Sequence, residues 1–224
     1  MSGGVTRHHS RADLIGAIEA SGVIAIVRLE EASALRRIVD ALAAGDIRAV
    51  EVTMTMRGAL EALSAVSAEV GDQILVGAGT VLDVETARLA ILAGARFVVA
   101  PTFRAAVVEM CRRYDVVAMP GAYTPTEIVT AWEAGADLVK VFPASSLGPG
   151  YVKDVRGPLP QLRLVPTGGV TAENAGAFLS AGAAAVGVGG NLVEPAAVAR
   201  GDFARVTEQA RRLTRAVRAA RGER

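Results

Sequence analysis

Cysteine and histidine are scarce: the 224 residues include one cysteine, Cys111, and two histidines, His8 and His9. A single cysteine excludes an internal disulfide framework and is typical of proteins of the reducing cytoplasm. Two adjacent histidines in a polar stretch do not form a metal site on their own, so we expect no metal and no cofactor. Cys111 falls late in a predicted helix and is expected to pack there rather than to act as a nucleophile.

Strong charge of one sign and long apolar runs are also lacking. The formal net charge is +1 and aromatic residues make up only 4% of the chain, so little in it would attract or stack on nucleic acid. No segment has the length and apolarity of a membrane span, and residues 1–10 lack the apolar stretch of a signal peptide. We therefore expect no nucleic-acid partner, no membrane partner, and a flexible tail over residues 1–9.

Hydrophobic residues make up 51% of the chain, and they fall in short β-branched runs that alternate with alanine-rich helical patterns. Alternating strands and helices predict a parallel sheet, and the length fits a single domain over residues 1–224. The eight predicted strands are Val23–Leu29, Ala49–Met54, Ile74–Thr80, Phe97–Pro101, Val116–Gly121, Leu138–Pro143, Arg163–Gly169 and Ala184–Gly190.

Eight strand-helix units in one domain predict an α/β fold, a closed (β/α)8 TIM barrel. A doubly wound open sheet is the alternative, disfavoured because no glycine-rich fingerprint follows the first strand. An extra N-terminal helix is predicted over Ser10–Ser21, capped by Ser10, and a C-terminal helix over Asp202–Arg221. Alanine-glycine pairs before the even-numbered strands predict left-handed helix caps at Gly45, Gly94, Gly135 and Gly182.

Lys140 interrupts the apolar run Leu138–Pro143, which is predicted to be a buried parallel strand. Burial strips water from an ammonium group and favours the neutral amine. A neutral amine can attack a carbonyl carbon and form a Schiff base. When this residue is considered alone, a strand-end lysine that reaches solvent or pairs with a carboxylate is the alternative.

Glu51 is an isolated charge in the second predicted strand, Ala49–Met54. The second and sixth strands of an eight-stranded barrel lie across from each other, and alternate strands contribute side chains to the same interior layer. Glu51 and Lys140 are therefore expected to meet inside, near the C-terminal mouth. A structural ion pair is the alternative, but such a pair is weak evidence for stability, so the pattern favours a catalytic pair.

Glycine-rich segments follow the seventh and eighth predicted strands, at Thr167-Gly168-Gly169 and at Gly189-Gly190-Asn191. Barrels commonly bind phosphate through backbone N–H groups at these two positions. The sequence therefore predicts an anion site here, with tight turns alone as the alternative.

Other polar residues fall at strand ends or in turns to helices. Thr80 places a hydroxyl at the mouth, and Arg28 can either reach over the mouth toward a carboxylate or phosphate or lie on the surface. Thr124 is expected to cap a helix with Glu127 as its partner, and Thr171 is expected to cap the helix after the seventh strand.

Together these residues resemble the 2-keto-3-deoxy-6-phosphogluconate (KDPG) aldolases and the related 4-hydroxy-2-oxoglutarate (KHG) aldolases, which are lysine-dependent class I enzymes of carbohydrate metabolism. The resemblance runs from about Asp13 to Arg211. The motifs that carry it are Glu51-Val52-Thr53, Gly77-Ala78-Gly79-Thr80-Val81, Pro120-Gly121 with Thr124-Pro125 and Glu127, Lys140-Val141-Phe142-Pro143-Ala144, and Pro166-Thr167-Gly168-Gly169-Val170.

The resemblance implies a metal-free homotrimer that cleaves a phosphorylated 2-keto acid, KDPG, to pyruvate and glyceraldehyde 3-phosphate. It implies Lys140 as the Schiff-base lysine and Glu51 as the general acid and base. The galactonate epimer of KDPG, KHG itself, and a sugar-phosphate barrel isomerase or binding module without an imine are the alternatives. The expected substrate-binding residues are Arg28, Thr53, Thr80, Pro101, Phe142, Thr167, Gly168, Gly169, Gly189, Gly190 and Asn191.

Two positions depart from the family's common pattern. Many members have an arginine four residues after the glutamate, where it contacts the substrate carboxylate, but this chain has Thr55, as some members do. The family often has serine after the last glycine pair, and here Asn191 takes its place. These departures concern the choice of substrate more than the aldolase chemistry.

Overall fold

The computed structural model describes residues 10–222, so the expected tail over residues 1–9 lies outside the described residues. The strands of the described part are β1 Val23–Val27, β2 Ala49–Thr53, β3 Leu75–Gly79, β4 Phe97–Val99, β5 Val117–Met119, β6 Gly121–Ala122, β7 Val139–Val141, β8 Leu164–Pro166 and β9 Val186–Val188. Its α-helices are α1 Arg11–Ser21, α2 Leu35–Ala43, α3 Ala59–Val70, α4 Val84–Leu92, α5 Ala105–Arg113, α6 Pro125–Glu133, α7 Gly148–Arg156, α8 Ala175–Ser180, α9 Pro195–Ala199 and α10 Phe203–Ala220.

The strands are parallel and form a curled sheet in two hydrogen-bonded parts. Six strands follow the order β5-β4-β3-β2-β1-β9, and three follow the order β6-β7-β8. An isolated bridge between Thr167 and Gly187 joins the chain after β8 to β9. Within each part, strands that are consecutive in the chain are neighbours without a reversal of order, which does not match the doubly wound alternative.

The prediction of one continuous fifth strand over Val116–Gly121 is wrong. Pro120 separates β5 from β6, because proline has no N–H to donate to a ladder. β5 pairs with β4, and β6 pairs with β7. The pairing therefore passes from the larger part of the sheet to the smaller part at this proline.

Helix α1 covers the N-terminal ends of the strands. Its capping box is made by Ser10 and Asp13, each of whose side chains accepts a hydrogen bond from the backbone of the other. Leu14 and Ile18 are buried against residues near the starts of the strands, among them Phe97. This apolar cluster fills the N-terminal half of the sheet interior and leaves the C-terminal half for polar side chains.

Two predicted caps have different outcomes. The box of Thr124 and Glu127 at the start of α6 is confirmed, with Pro125 as the first helical residue. Thr171 does not cap α8, because that helix begins at Ala175 and is preceded by Asn174.

Left-handed glycine caps are confirmed at Gly94, Gly135 and Gly182, where φ is 98°, 93° and 100°. The prediction is wrong at Gly45, because the next residue, Asp46, takes the left-handed conformation with φ of 65°. Gly45 instead permits close helix packing: a Cβ atom there would lie 2.3 Å from Cβ of Ala210 in α10.

We therefore expect Gly45→Ala to lower the free energy of unfolding by about 1–3 kcal/mol, since neither the new methyl group nor Ala210 can rotate away. Gly16→Ala is the control, because Gly16 lies within α1 and a Cβ there would meet no atom of residues 10–222 within 4 Å. That change should raise the free energy of unfolding by about 0.5–1 kcal/mol. Urea denaturation measures both, and an unchanged midpoint for Gly45→Ala would contradict the packing account.

Candidate active site

Lys140 in β7 and Glu51 in β2 lie together inside the curled sheet. Nζ of Lys140 is 3.9 Å from Oε1 of Glu51, and the two residues are 3% and 2% exposed. Side chains two positions apart on a strand share a face. Lys140 therefore lies on the same face as Leu138, and Glu51 lies on the same face as Ala49. Leu138 and Ala49 both belong to the apolar cluster that packs against α1. The charged pair forms the layer directly above the apolar floor.

The carboxyl group of Glu51 has an unusual environment. Burial raises the pKa of this carboxyl above its ordinary value, and the positive charges of Lys140 and Arg28 oppose that rise. Oε1 of Glu51 is buried and accepts no hydrogen bond from any residue between 10 and 222. A buried acceptor without a donor is costly, and a carboxyl with a raised pKa is suited to both accepting and donating a proton.

Gly79, the last residue of β3, makes the space for this carboxyl. A Cβ atom on Gly79 would lie 1.9 Å from Oε1 of Glu51 and 2.4 Å from its Cδ. Glu51 can therefore hold its position only because residue 79 has no side chain.

A cavity of about 240 Å³ opens at the C-terminal ends of the strands, beside Lys140. It collects nine of the predicted site residues from the ends of β1, β7, β8 and β9. These nine are Arg28, Lys140, Phe142, Thr167, Gly168, Gly169, Gly189, Gly190 and Asn191.

The glycine-rich loops that line this cavity carry backbone N–H groups without an acceptor among residues 10–222. Gly168 and Gly169 have φ of 94° and 74°, values that side chains disfavour. In the part of the chain that the structure describes, the backbone N–H groups of Gly169, Val170 and Gly190 donate no hydrogen bond. Unpaired N–H groups on a concave turn suit an anion.

Glu51 and three other predicted residues, Thr53, Thr80 and Pro101, do not line this cavity. Thr53 is fully buried, and its hydroxyl donates to the carbonyl of Val27 at 3.1 Å. Thr55 donates to the same hydroxyl at 3.2 Å. The hydroxyl of Thr53 thus ties β2 to β1.

Thr80 and Pro101 follow β3 and β4, on the other side of the charged pair. Thr80 has φ of 58°, which is a rare conformation for a β-branched residue. Strained residues of this kind concentrate at active sites and ligand clamps. The carbonyl group of Pro101 lies against Gly121, where a Cβ atom would approach it to 2.3 Å.

A larger cavity of about 550 Å³ lies at the opposite end, against α1 and α10. Its charged walls are engaged in contacts of their own: Arg48 and Arg218 both pair with Asp46. Since this cavity contains neither Lys140 nor Glu51, the smaller cavity is the candidate active site.

Comparison with known proteins gives consistent results. The family model described as KDPG and KHG aldolase matches residues 15–209. The 2-dehydro-3-deoxy-phosphogluconate aldolase of Treponema pallidum (strain Nichols) is 40% identical over 193 residues, which cover 85% of this chain and 91% of that protein. The chain belongs to the KDPG and KHG aldolase family.

Two further comparisons extend this result. The 2-dehydro-3-deoxy-6-phosphogalactonate aldolase of Escherichia coli (strain K12) is 36% identical over 145 residues, which cover 64% of this chain and 71% of that protein. The structure of KDPG aldolase from Legionella pneumophila, with pyruvate captured as a covalent carbinolamine, has a TM-score of 0.82 at 28% identity. That match covers 89% of this chain and 97% of the other. The predicted family is confirmed, and the chain is an aldolase, a lyase.

Sequence reasoning assigned no role to several residues that shape the candidate site. Gly121 and Gly187 provide clearance, since a Cβ on Gly187 would lie 2.3 Å from Oγ1 of Thr167. Asn174 holds the loop after β8 through its side chain. Glycines inside predicted strands were a visible signal for the first two, but no sequence pattern marked Asn174.

Gly79→Ala should lower kcat by about a hundredfold or more, because the new methyl group displaces the Glu51 carboxyl and with it positioned proton transfer. Gly150→Ala is the control, since Gly150 lies in α7 and a Cβ there would contact no described residue within 4 Å. Steady-state aldol cleavage measures both variants. Wild-type kcat in a folded Gly79→Ala protein would refute the clearance argument.

The raised pKa of Glu51 predicts a pH-dependent cost in stability. Above pH 4.5, the ordinary value for this carboxyl, the unfolded chain releases the proton that the folded chain still holds, so stability falls as pH rises. Gln cannot titrate, so the free energy of unfolding of Glu51→Gln, relative to that of wild type, should be higher at pH 8 than at pH 5. Urea titrations at both pH values measure this gain, with Glu61→Gln, on the exposed side of α3, as control. A difference that does not change with pH would contradict the prediction.

Proposed function

We propose that this chain is a class I aldolase that cleaves KDPG to pyruvate and glyceraldehyde 3-phosphate through a Schiff base on Lys140. The single observation that carries the proposal is the buried contact between Lys140 and Glu51, beside a cavity rimmed by glycine-rich loops. Membership of the KDPG and KHG aldolase family supports it.

In the first half of the reaction, Nζ of Lys140 attacks the C2 carbonyl carbon of the substrate and forms a carbinolamine. Loss of water from this carbinolamine gives an iminium ion, with Glu51 transferring the protons directly or through a water molecule. The iminium withdraws electrons from the neighbouring carbons and prepares the C3–C4 bond for cleavage.

In the second half, Glu51 removes the proton of the C4 hydroxyl. The C3–C4 bond breaks, its electron pair enters the iminium to give an enamine, and the aldehyde leaves. Glu51 helps to return a proton to C3 of the enamine, and addition of water then releases pyruvate and free Lys140. Proton transfer by a positioned group typically contributes about 10²–10⁴-fold to the rate.

The two ends of the substrate bind on opposite sides of Lys140. The phosphate binds the N–H groups of the two glycine loops, with Arg28 as a nearby cation. The carboxylate lies toward Thr80 and Pro101, which the strained φ of Thr80 supports. Since Thr55 stands where many family members have an arginine, the carboxylate takes neutral donors such as the hydroxyl of Thr80, and Phe142 packs against the carbon chain.

The galactonate epimer and unphosphorylated KHG remain the alternative substrates. The similarity to a relative named 2-dehydro-3-deoxy-6-phosphogalactonate aldolase favours keeping the epimer. An isomerase or binding module without an imine would use the glycine loops alone and would leave the contact between Lys140 and Glu51 unexplained.

We also propose that the curled sheet closes into a (β/α)8 barrel with α1 and α10 as extra helices, within one domain. The bridge between Thr167 and Gly187 supports closure on one side, and the direct continuation of β5 into β6 supports it on the other. The homotrimer and the cytoplasmic location are proposed from the family resemblance and the single cysteine. No helix among residues 10–222 is long and apolar enough to cross a membrane.

Exchange of the methyl protons of pyruvate with deuterium, followed by NMR, tests the proposed roles, because it requires both an enamine and a proton carrier. Wild type should exchange these protons. Lys140→Met should lose the exchange completely, and Glu51→Gln should lose most of it, because the amide keeps the shape of the carboxyl but transfers no proton. Lys153→Met, at an exposed lysine of α7, is the matched control. Exchange at the wild-type rate in Lys140→Met would contradict the proposed mechanism.

A panel of kcat/KM values tests the substrate. We expect a higher kcat/KM for KDPG than for its unphosphorylated analogue, because remote phosphate binding orients the reacting carbons. The galactonate epimer and KHG complete the panel. Equal or higher values without phosphate would overturn the phosphate assignment while leaving the lysine chemistry in place.

A further inference from the structure

The loop after β8 and the loop after β9 meet at a seam of the sheet. β8 and β9 belong to different hydrogen-bonded parts of the sheet, and the bridge between Thr167 and Gly187 is isolated. The glycine pairs of the anion site begin directly beyond this seam. Regular strand pairing therefore does not fix the distance between the two loops, and other contacts must do so.

Asn174 brackets the first of these loops. Its Nδ2 donates to the carbonyl of Gly169 at 2.9 Å, and its Oδ1 accepts from the N–H of Thr171 at 2.8 Å. One side-chain amide thus binds the backbone on both sides of Val170, as a two-point clamp.

Asn191 joins the second loop to the first. Its Nδ2 donates to the carbonyl of Val170 at 3.1 Å. This bond spans the seam from the residue after the second glycine pair to the residue after the first. One of the two N–H groups of this amide is therefore used to hold the two loops together.

Among residues 10–222, these contacts leave the N–H groups of Gly169 and Val170 without an acceptor, and they set the direction of the N–H of Val170. Asn174 and Asn191 satisfy the carbonyls of Gly169 and Val170 and the N–H of Thr171. The N–H of Val170 donates to no residue between 10 and 222. In a trans peptide the C=O and N–H bonds point in opposite directions, so fixing the carbonyl of Gly169 on Asn174 points this N–H away from Asn174. Val170 lines the active-site cavity and Asn174 does not.

We propose that Asn174 and Asn191 are positioning residues of the phosphate site, which orient the N–H of Val170 and set the spacing of the two glycine loops. They act through the backbone and not as direct ligands. This inference rests on the proposed function for the identity of the anion, and it changes the expected role of Asn191 from a phosphate donor to a tie between loops. Because oriented backbone donors act only on the phosphate end, the effect falls on phosphate affinity more than on the lysine chemistry.

The experiment uses the full-length enzyme with inorganic phosphate as the probe. Titration followed by ³¹P NMR gives the dissociation constant of phosphate. The ratio of kcat/KM for KDPG to kcat/KM for its unphosphorylated analogue gives the contribution of the phosphate to catalysis. Asn174→Ala should weaken phosphate binding at least about tenfold, the effect of a lost hydrogen bond to a charged group, and should lower the ratio by a similar factor. Asn191→Ala should change both quantities in the same direction.

Glu173→Gln is the matched control, since Glu173 lies in the same turn but its side chain pairs with Arg212. It should keep both the phosphate affinity and the ratio. If Asn174→Ala does not fold, Asn191→Ala decides the question alone. Unchanged phosphate affinity in the folded variants, or an equal loss on both substrates, would overturn the inference.

Deuterium exchange into pyruvate separates this inference from the proposed function. A wild-type enzyme that exchanges pyruvate protons but binds no phosphate would keep the aldolase chemistry and overturn the inference. A wild-type protein that binds phosphate through this turn but exchanges no protons would overturn the proposed aldolase chemistry and keep the inference about Asn174 and Asn191.

Discussion

The desolvated contact between Lys140 and Glu51 is the interaction on which the rest of the site depends. Two charges at this depth lose most of their hydration, and their mutual attraction seldom repays that loss in full. The carboxyl also has a buried oxygen that accepts no hydrogen bond from the part of the chain that the structure describes. Such an arrangement weakens the fold, but it suits catalysis. A substrate that carries a ketone and a hydroxyl would supply the partners that Lys140 and Glu51 lack.

The fold accommodates this pair through an apolar layer below it and through the absence of side chains beside it. The apolar layer below excludes water from one side, and Gly79 leaves the space that the Glu51 carboxyl occupies. Gly187 similarly leaves space beside Thr167. Several polar groups at the mouth are bound to the backbone, as with the side-chain amide of Asn174. The shape of the site therefore depends on glycines and on hydrogen-bonded side-chain amides as much as on Lys140 and Glu51.

Most of the strands and the charged pair could be predicted from the sequence, because the strands are apolar runs and the two charges interrupt such runs. Lys140 and Glu51 stand out because each breaks an apolar run, and the alternation along a strand then predicts the face on which each lies. The break at Pro120 and the clearance at Gly79 depend on which strand lies alongside, and this information is not local. Asn174 could not be found for the same reason, since its partners are backbone groups whose directions only the folded loop defines.

Covalent trapping tests the central claim most directly, and the composition of the chain makes the readout simple. The sequence contains only two lysines, the buried Lys140 and the exposed Lys153. Wild-type enzyme treated with pyruvate and borohydride, then digested and analysed by mass spectrometry, should carry the reduced adduct on the peptide of Lys140, while the peptide of Lys153 stays unmodified. An adduct on Lys153 alone, or on neither lysine while the enzyme cleaves KDPG, would contradict the account.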